Sequence, residues 1–259
     1  MTPPVAITFD FWDTLVHAES GADIRKNRRE RLVGALSAAG HQADRSAMDA
    51  ALVEIRRTFD AHWAANEQFT GVEATDVLLE LLGIELTGDA LAAVADAFMG
   101  VGARPVPPLT PNVEATLRAL RERGVKLGII CDVGLSPSPV LRSHLEHHGV
   151  LDLFDHWSFS DEVGHYKPSP VIFRHALDGL GGVDPSAAAH VGDLRRTDVA
   201  GALAFGMTAV RYTGSNDDVV DPAEGDRSRS GMELSDGSAP EADHVITDHA
   251  QLLAVLGYA

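Results

Sequence analysis

Asp10, Thr14, the pair Cys131-Asp132, Lys167, the pair Gly192-Asp193 and Asp198 are the residues of this 259-residue chain whose types could share one chemistry. Asp10, Asp193 and Asp198, if brought together, would repel one another unless a cation joined them. An all-oxygen donor set suits Mg²⁺, which is usually held by one or two carboxylates together with phosphate oxygens. Lys167, one of only three lysines with Lys26 and Lys126, would supply a point charge for an anion. A carboxylate can also act as a nucleophile toward phosphorus.

For these residues to meet, the chain must fold so that its strand ends converge. Val5–Phe9 is a short apolar run ending at Asp10 and reads as a buried strand. Residues 21–101 carry helical patterns such as "RERLVGALSAAG", "AMDAALVEIRRTFDAHWAA" and "GDALAAVADAFMG", several of them closed by Gly. The Pro-rich "ARPVPPLTP" reads as a connector. Helices then alternate with the strands "KLGIIC", "HWSFS", "AAHVG", "TAVRYT" and "HVIT". Such alternation predicts an α/β fold, a Rossmann-like parallel sheet with helices on both faces, whose binding site lies at the carboxyl ends of the strands. The helical stretch interrupts that core after its first strand. The expected division is a core of residues 1–16 and 104–259 and a helical insert of residues 17–103.

The order "ITFDFWDTLV", "LGIICDVG", "GHYKPSPVIF", "HVGDLRRTDVAGA" resembles the four motifs of the haloacid dehalogenase (HAD) superfamily, over nearly the whole chain. The helical insert matches that family's α-helical (C1-type) cap, placed between motifs one and two. The resemblance implies an Mg²⁺-dependent phosphatase acting on a small phosphorylated metabolite through an aspartyl-phosphate intermediate. Asp10 would be the nucleophile, Lys167 would hold Asp10 and the phosphoryl oxygens, Thr14 would orient the flap, and Cys131 would stand at the phosphoryl-binding hydroxyl position. Mg²⁺ would be held by Asp10, the Trp12 carbonyl and Asp193, with Asp198 a further ligand or a partner behind the ligands. Asp132 and His17, the latter at the hinge into the cap, would face substrate.

Two departures from the family pattern bear on the chemistry. The residue two after the nucleophile is usually a second Asp, the general acid and base; here it is Trp12. Thr14 keeps the register, so Asp13 cannot take the place of Asp10. An indole N–H does not titrate usefully, and loss of such a catalyst typically removes roughly 10²–10⁴ in rate. Asp13, Asp132, His17 and His165 are the replacements open in sequence; a raised pKa would suit Asp132 to the task. Cys131-Asp132 stands where Ser/Thr followed by Asn is common, and a thiol is the weaker donor. His147 and His148 fall in a surface-like helix, and Trp63 reads as packing within the cap.

An aromatic residue two after the nucleophile also occurs in L-2-haloacid dehalogenases, whose halide leaves unprotonated. A metal-independent dehalogenase is therefore one alternative, although "VGDLRRTD" is of the metal-binding, phosphatase type. A weakly active or non-catalytic relative that binds a phosphorylated ligand is the other. A phosphatase suited to a good leaving group, such as an acyl phosphate, would need the missing acid least.

Composition narrows the setting. Lys and Arg number 21 against 38 Asp and Glu, a formal charge of −17, which argues against nucleic acid or an anionic membrane surface as a general partner. No run approaches 18 apolar residues and the N-terminus lacks a signal pattern. A single cysteine fits a reducing cytosol, and a cytoplasmic protein is expected. Residues 215–243 hold nine acids and two bases and read as a long mobile loop. Residues 21–57 hold eight bases and five acids, a basic helical region that reads either as a solvated face or as an attraction for an anionic substrate.

Overall fold

The computed structural model describes residues 2–18, 21–103, 106–215 and 239–258. Six parallel strands form one sheet in the order β3-β2-β1-β4-β5-β6: β1 Ala6–Phe9, β2 Lys126–Cys131, β3 His156–Phe159, β4 Ala188–Gly192, β5 Thr208–Tyr212 and β6 His244–Ile246. The strand order reverses at β1, so β2 and β4 flank it, Phe9 pairing with Ile129 on one side and Val191 on the other. A sheet of this order opens a crevice at the carboxyl ends of its central strands. Asp10, Asp132 and Asp193 are the first residues after β1, β2 and β4.

Alternation along the strands sends side chains to opposite faces. Ile7, Phe9, Leu127, Ile129 and Val191 pack beneath α5 (Val113–Glu122), α6 (Ser138–His147) and α10 (Leu252–Val255). Ala6, Ile130 and Ala188 face α8 (Pro170–Gly179) and α9 (Ala200–Phe205). A short α7, Ser160–Val163, follows β3 directly, so Ser160, expected as strand, begins a helical turn. The backbone between β4 and α9 forms a π-helical turn over Arg195–Val199.

Four helices lie between β1 and α5: α1 Gly21–Ala38, α2 Arg45–Ala64, α3 Gly71–Leu82 and α4 Gly88–Met99. They share their own hydrophobic cluster, which includes Leu32, Leu36, Leu78, Val94 and Phe98. In α2 the buried positions Met48, Ala51, Leu52, Ile55, Phe59 and Trp63 recur at helical spacing. Asp44 caps its start by accepting from the Ser46 and Ala47 amides. Thr70 and Glu73 form a reciprocal capping box on α3.

This four-helix unit meets the strand ends at specific points. The Tyr166 hydroxyl accepts from Gln68 Nε2 at 3.0 Å. The Arg196 guanidinium lies 3.8 Å from the centroid of the Trp63 ring. Gly71 at the start of α3 is so close to the loop after β2 that a Cβ there would lie 2.7 Å from the Leu135 carbonyl oxygen.

Of the acidic stretch expected to be a mobile loop, residues 216–238 lie outside the described residues. Its end is a correction to that expectation. Glu241 accepts from Arg211 Nε at 2.8 Å and from Arg195 Nη2 at 2.6 Å, and Asp243 accepts from the Ala209 amide at 2.9 Å. Charge pairing along β5 holds these residues where hydrophobic burial could not. No helix among the described residues is long and apolar enough to cross a membrane.

Candidate active site

Lys167, in the loop before α8, is buried and lies among the strand ends. Its Nζ donates to Asp10 Oδ1 at 2.5 Å and to Asp198 Oδ1 at 2.6 Å. Burial alone would depress its ammonium pKa, but the carboxylates of Asp10, Asp198 and Asp132 hold it well above the usual lysine range. Asp198 is anchored in turn. Its Oδ1 also meets His190 Nε2 at 3.0 Å, and its Oδ2 accepts from the Leu194 amide at 3.0 Å and from the Thr197 hydroxyl at 3.3 Å. Burial favours the protonated acid, yet Lys167 and His190 keep Asp198 below the usual carboxylate range.

Asp198 was expected as a cation ligand or as a partner behind one, and protein donors engage both of its oxygens. Gly192 permits the arrangement: a Cβ there would lie 2.3 Å from Asp198 Cγ, closer than any side chain allows.

His190 is part of the same network and was missed in the sequence. It sits on β4 with Nδ1 2.8 Å from Thr8 Oγ1, on the neighbouring strand β1. Burial depresses its pKa, despite the hydrogen bond to Asp198, which favours the neutral ring. Asp198 requires a proton on Nε2, which leaves Nδ1 to accept from Thr8. The available signal was a lone histidine inside an apolar strand, on the same sheet face as Thr8.

The remaining carboxylates are less well compensated. Asp10, Asp13, Asp132, Asp193 and Asp198 are all buried, against one buried lysine. Burial, reinforced by Asp198 and Asp132, pushes Asp10 up to about 7 although Lys167 opposes it. Burial raises Asp193 well above its usual range, with Asp10, Asp198 and Asp13 adding to the effect. The Asp193 carboxylate makes no hydrogen bond or ion pair among the described residues. Among those residues no cluster of three or more His, Cys, Asp or Glu side chains forms a metal cage. Mg²⁺ does not require one, since it is usually held by one or two carboxylates with water and phosphate oxygens. Asp10 and Asp193, short of positive charge, fit such a cation.

The other expected residues fall in distinct places. Thr14 is buried with its Oγ1 unpartnered among the described residues, while its carbonyl accepts from Thr110 Oγ1 at 2.6 Å and from His249 Nε2 at 2.9 Å. Cys131 is buried, and burial, with Asp10 nearby, raises its thiol pKa well above the usual value. His17 Nδ1 lies 3.2 Å from the Oγ of Ser215, which follows the end of β5. Asp13 accepts from the Ala18 amide at 3.1 Å, and His165 is exposed. Trp63 packs inside the helical cluster.

Asp132 and Trp12 instead line a cavity of about 190 Å³ between the helical unit and the strand ends. The Lys167 amide donates to Asp132 Oδ1 at 2.8 Å. Burial raises this carboxyl to about 6, with Lys167 opposing. Arg28 and Arg31 of α1, Arg56 and Phe59 of α2, and Ser136 and His144 from the core complete much of the wall. The basic stretch was legible in the sequence, but its contribution to this cavity was not. The only hint was the i,i+3 spacing that sets Arg28 and Arg31 on one helix face.

Comparison with known proteins places this geometry. The chain is 34% identical over 147 residues to bovine (Bos taurus) haloacid dehalogenase-like hydrolase domain-containing protein 3, covering 57% of this chain and about half, 51%, of that protein. It is 30% identical over 239 residues to glyceraldehyde 3-phosphate phosphatase of Methanopyrus kandleri, covering 88% of this chain and 96% of the relative. The solved structure of a 2-haloacid dehalogenase from Pseudomonas syringae pv. Tomato DC3000 superposes with a TM-score of 0.67 at 24% identity, over 100% of this chain and 99% of that one, a likeness of fold. A family model described as haloacid dehalogenase-like hydrolase matches residues 5–206. The chain belongs to the haloacid dehalogenase-like hydrolase family.

Proposed function

We propose that the protein is an Mg²⁺-dependent phosphatase acting on a small phosphorylated metabolite. The observation that carries this reading is the buried network in which Lys167 joins Asp10 to Asp198 at the strand ends. The phosphatase named among the relatives supports phosphate esters as the substrate class. Residues 1–16 and 104–259 serve as the catalytic core in this reading. Residues 17–103 serve as a cap over the cavity. A cytoplasmic setting agrees with a lone, buried cysteine.

Asp10 attacks phosphorus through a carboxylate oxygen, the bond from phosphorus to the leaving oxygen breaks, and an aspartyl phosphate forms. Water then hydrolyses it, releasing inorganic phosphate and restoring Asp10. Lys167 balances the charge of Asp10 and of the phosphoryl oxygens. Asp10, Asp193 and the Trp12 carbonyl would hold Mg²⁺, which supplies the positive charge that keeps Asp10 ionised and offsets the phosphoryl charge. Thr14 supports the loop from Phe11 to Val16 through its carbonyl, and Cys131 packs the floor.

Trp12 cannot protonate the leaving group. Asp132 takes that part: it lines the cavity and its raised pKa keeps a fraction protonated near neutrality. It gives a proton to the leaving oxygen and takes one from the attacking water.

The test is hydrolysis of p-nitrophenyl phosphate and acetyl phosphate with Mg²⁺, abolished by EDTA and by Asp10→Asn. Halide release from 2-chloropropionate in EDTA would establish a dehalogenase instead. A stable beryllofluoride adduct at Asp10 without turnover would establish a phospho-ligand-binding relative.

A further inference from the structure

The wall of the cavity opposite Asp132 is cationic by construction. Arg28 and Arg31 lie three residues apart on α1, and both reach the last turn of α4. Arg28 Nε donates to the Phe98 carbonyl at 2.9 Å and Arg31 Nε to the Ala97 carbonyl at 3.0 Å. Carbonyls at a helix end lack intrahelical partners and carry partial negative charge. The first of these contacts fixes the Arg28 side chain through one nitrogen. The Arg28 guanidinium also lies 4.8 Å from the centroid of the Phe98 ring. Arg56 approaches from α2 and pairs with Asp60 at 2.7 Å.

No such carboxylate answers Arg28. It is half-buried, forms no ion pair among the described residues, and faces a cavity it shares with two other arginines. Burial pushes its pKa down to about 10, with Arg31 and Arg56 adding to the fall. Asp132, the one carboxyl on the cavity wall among the described residues, is drawn to the Lys167 amide. Gly100 lies on the same wall, where a Cβ would be 3.5 Å from Arg31 Nη2 and 3.9 Å from Ser136 Oγ. Cations withdrawn from water in this way call for a charged partner, and a guanidinium fork suits a carboxylate or phosphoryl group. The space, about 190 Å³, is below the range of about 300–1,000 Å³ usual for drug-sized ligands. Trp12, Phe59 and Val140 give it apolar sides.

We infer that the substrate is a compact phosphate ester whose organic part carries a second anionic group, received by Arg28 and Arg31 while the transferring phosphoryl group faces Asp10 and Lys167. This inference rests on the phosphatase reading for the phosphoryl end only. The apolar sides enclose a short carbon skeleton between the two charges.

Calorimetry in Mg²⁺ buffer with unreactive phosphonates tests the second anion without requiring turnover. Phosphonoacetate and 3-phosphonopropionate are compared with ethylphosphonate and propylphosphonate. At least one carboxylated ligand should bind about tenfold or more tightly than its neutral counterpart, as charge-assisted hydrogen bonds predict. Arg31→Gln and Arg28→Gln, each with a retained circular dichroism spectrum, should erase that advantage, and Arg31→Lys should restore part of it. Equal binding of charged and neutral phosphonates, binding of neither, or an advantage that survives both glutamine variants overturns the inference. Hydrolysis assays separate the two claims. Equal kcat/KM on acid-bearing and neutral esters overturns the second-anion site and leaves the phosphatase standing. No ester hydrolysis, with the carboxylated phosphonate still preferred, overturns the phosphatase and leaves the anion pocket standing.

Discussion

Lys167 Nζ and Asp198 Oδ1 stand 2.6 Å apart, both side chains almost wholly buried. Asp198 in turn rests against Gly192 with no room for a Cβ between them. Lys167 is thus positioned from below, by a carboxylate that His190, Leu194 and Thr197 hold in place.

Gly192→Ala should therefore act through that lysine. The new methyl must displace Asp198, at an overpacking cost of about 1–3 kcal/mol. Misplacing Lys167 by an ångström should lower kcat roughly 10²-fold. Lys167→Met, which leaves the carboxylates unpaired, should cost about 3–5 kcal/mol in denaturant unfolding at pH 8. Steady-state kinetics and urea melts measure both; a Gly192→Ala enzyme with full turnover would remove Asp198 from its positioning role.

Metal removal and pH should be linked. In EDTA, Asp10 at about 7 and Asp132 at about 6 hold protons in the folded state that the unfolded chain releases near pH 4. Protons bound in excess by the folded state mean that stability falls as pH rises from about 4 through 7. Asp198, shifted downward, works in the opposite sense, its stabilisation being lost only as pH drops below the normal aspartate range. Thermal melts in EDTA should show the midpoint falling between pH 5 and 7.5. Mg²⁺ at about 100 times its Kd should restore roughly 2.7 kcal/mol. Asp193→Asn should melt higher than wild type in EDTA and gain little from Mg²⁺.

Asp132 as the acid makes a prediction about leaving groups. For an alkyl phosphate, kcat/KM should decline above pH about 6. Asp132→Asn should flatten that decline and lower the rate roughly 10²-fold. On acetyl phosphate, whose leaving group needs little protonation, the same variant should lose less than about tenfold. Parallel pH–rate profiles on the two substrates decide the matter, and equal losses on both would exclude Asp132 as proton donor.

Trp12→Asp would place a titratable carboxyl two residues after the nucleophile. Turnover of an alkyl phosphate should rise about tenfold or more if the missing acid limits the reaction. The indole also forms a cavity wall, so KM should rise at the same time. Stopped-assay kinetics on one alkyl phosphate separates the two effects; unchanged kcat would show that protonation is not limiting.

Much of the fold was legible because it rests on local patterns. The strands "KLGIIC" and "AAHVG" appear at their expected positions, since short apolar runs bounded by turn residues have few other solutions in an alternating chain. The ends of elements moved where tertiary contacts decide them. Ser160 leaves the strand for a helical turn and donates nothing to the ladder, its Oγ instead accepting from the Val133 amide at 2.8 Å. The stretch before β6 carries the composition of a loop, yet Glu241 is tied down by Arg211 and Arg195. Composition records the lack of apolar surface but not the cations waiting at Arg211 on β5 and at Arg195 after β4.

By itself, the sequence determined which residues stand at the strand ends, because period-two alternation and strand-ending acids are properties of neighbours along the chain. It also determined that the residue two after Asp10 is Trp12, whose indole does not titrate usefully. Only the tertiary structure decided what those residues do to one another. Asp198 became an anchor for Lys167 because His190, Leu194 and Thr197 approach it from three directions. Asp132 gained a raised pKa because burial withdraws it from water. Arg28 and Arg31 became the wall of a cavity because α4 ends where their Nε groups can reach its carbonyls. Charge, burial and hydrogen-bond occupancy depend on distances between segments far apart along the chain, 188 residues for Asp10 and Asp198, and those distances exist only once the sheet has assembled.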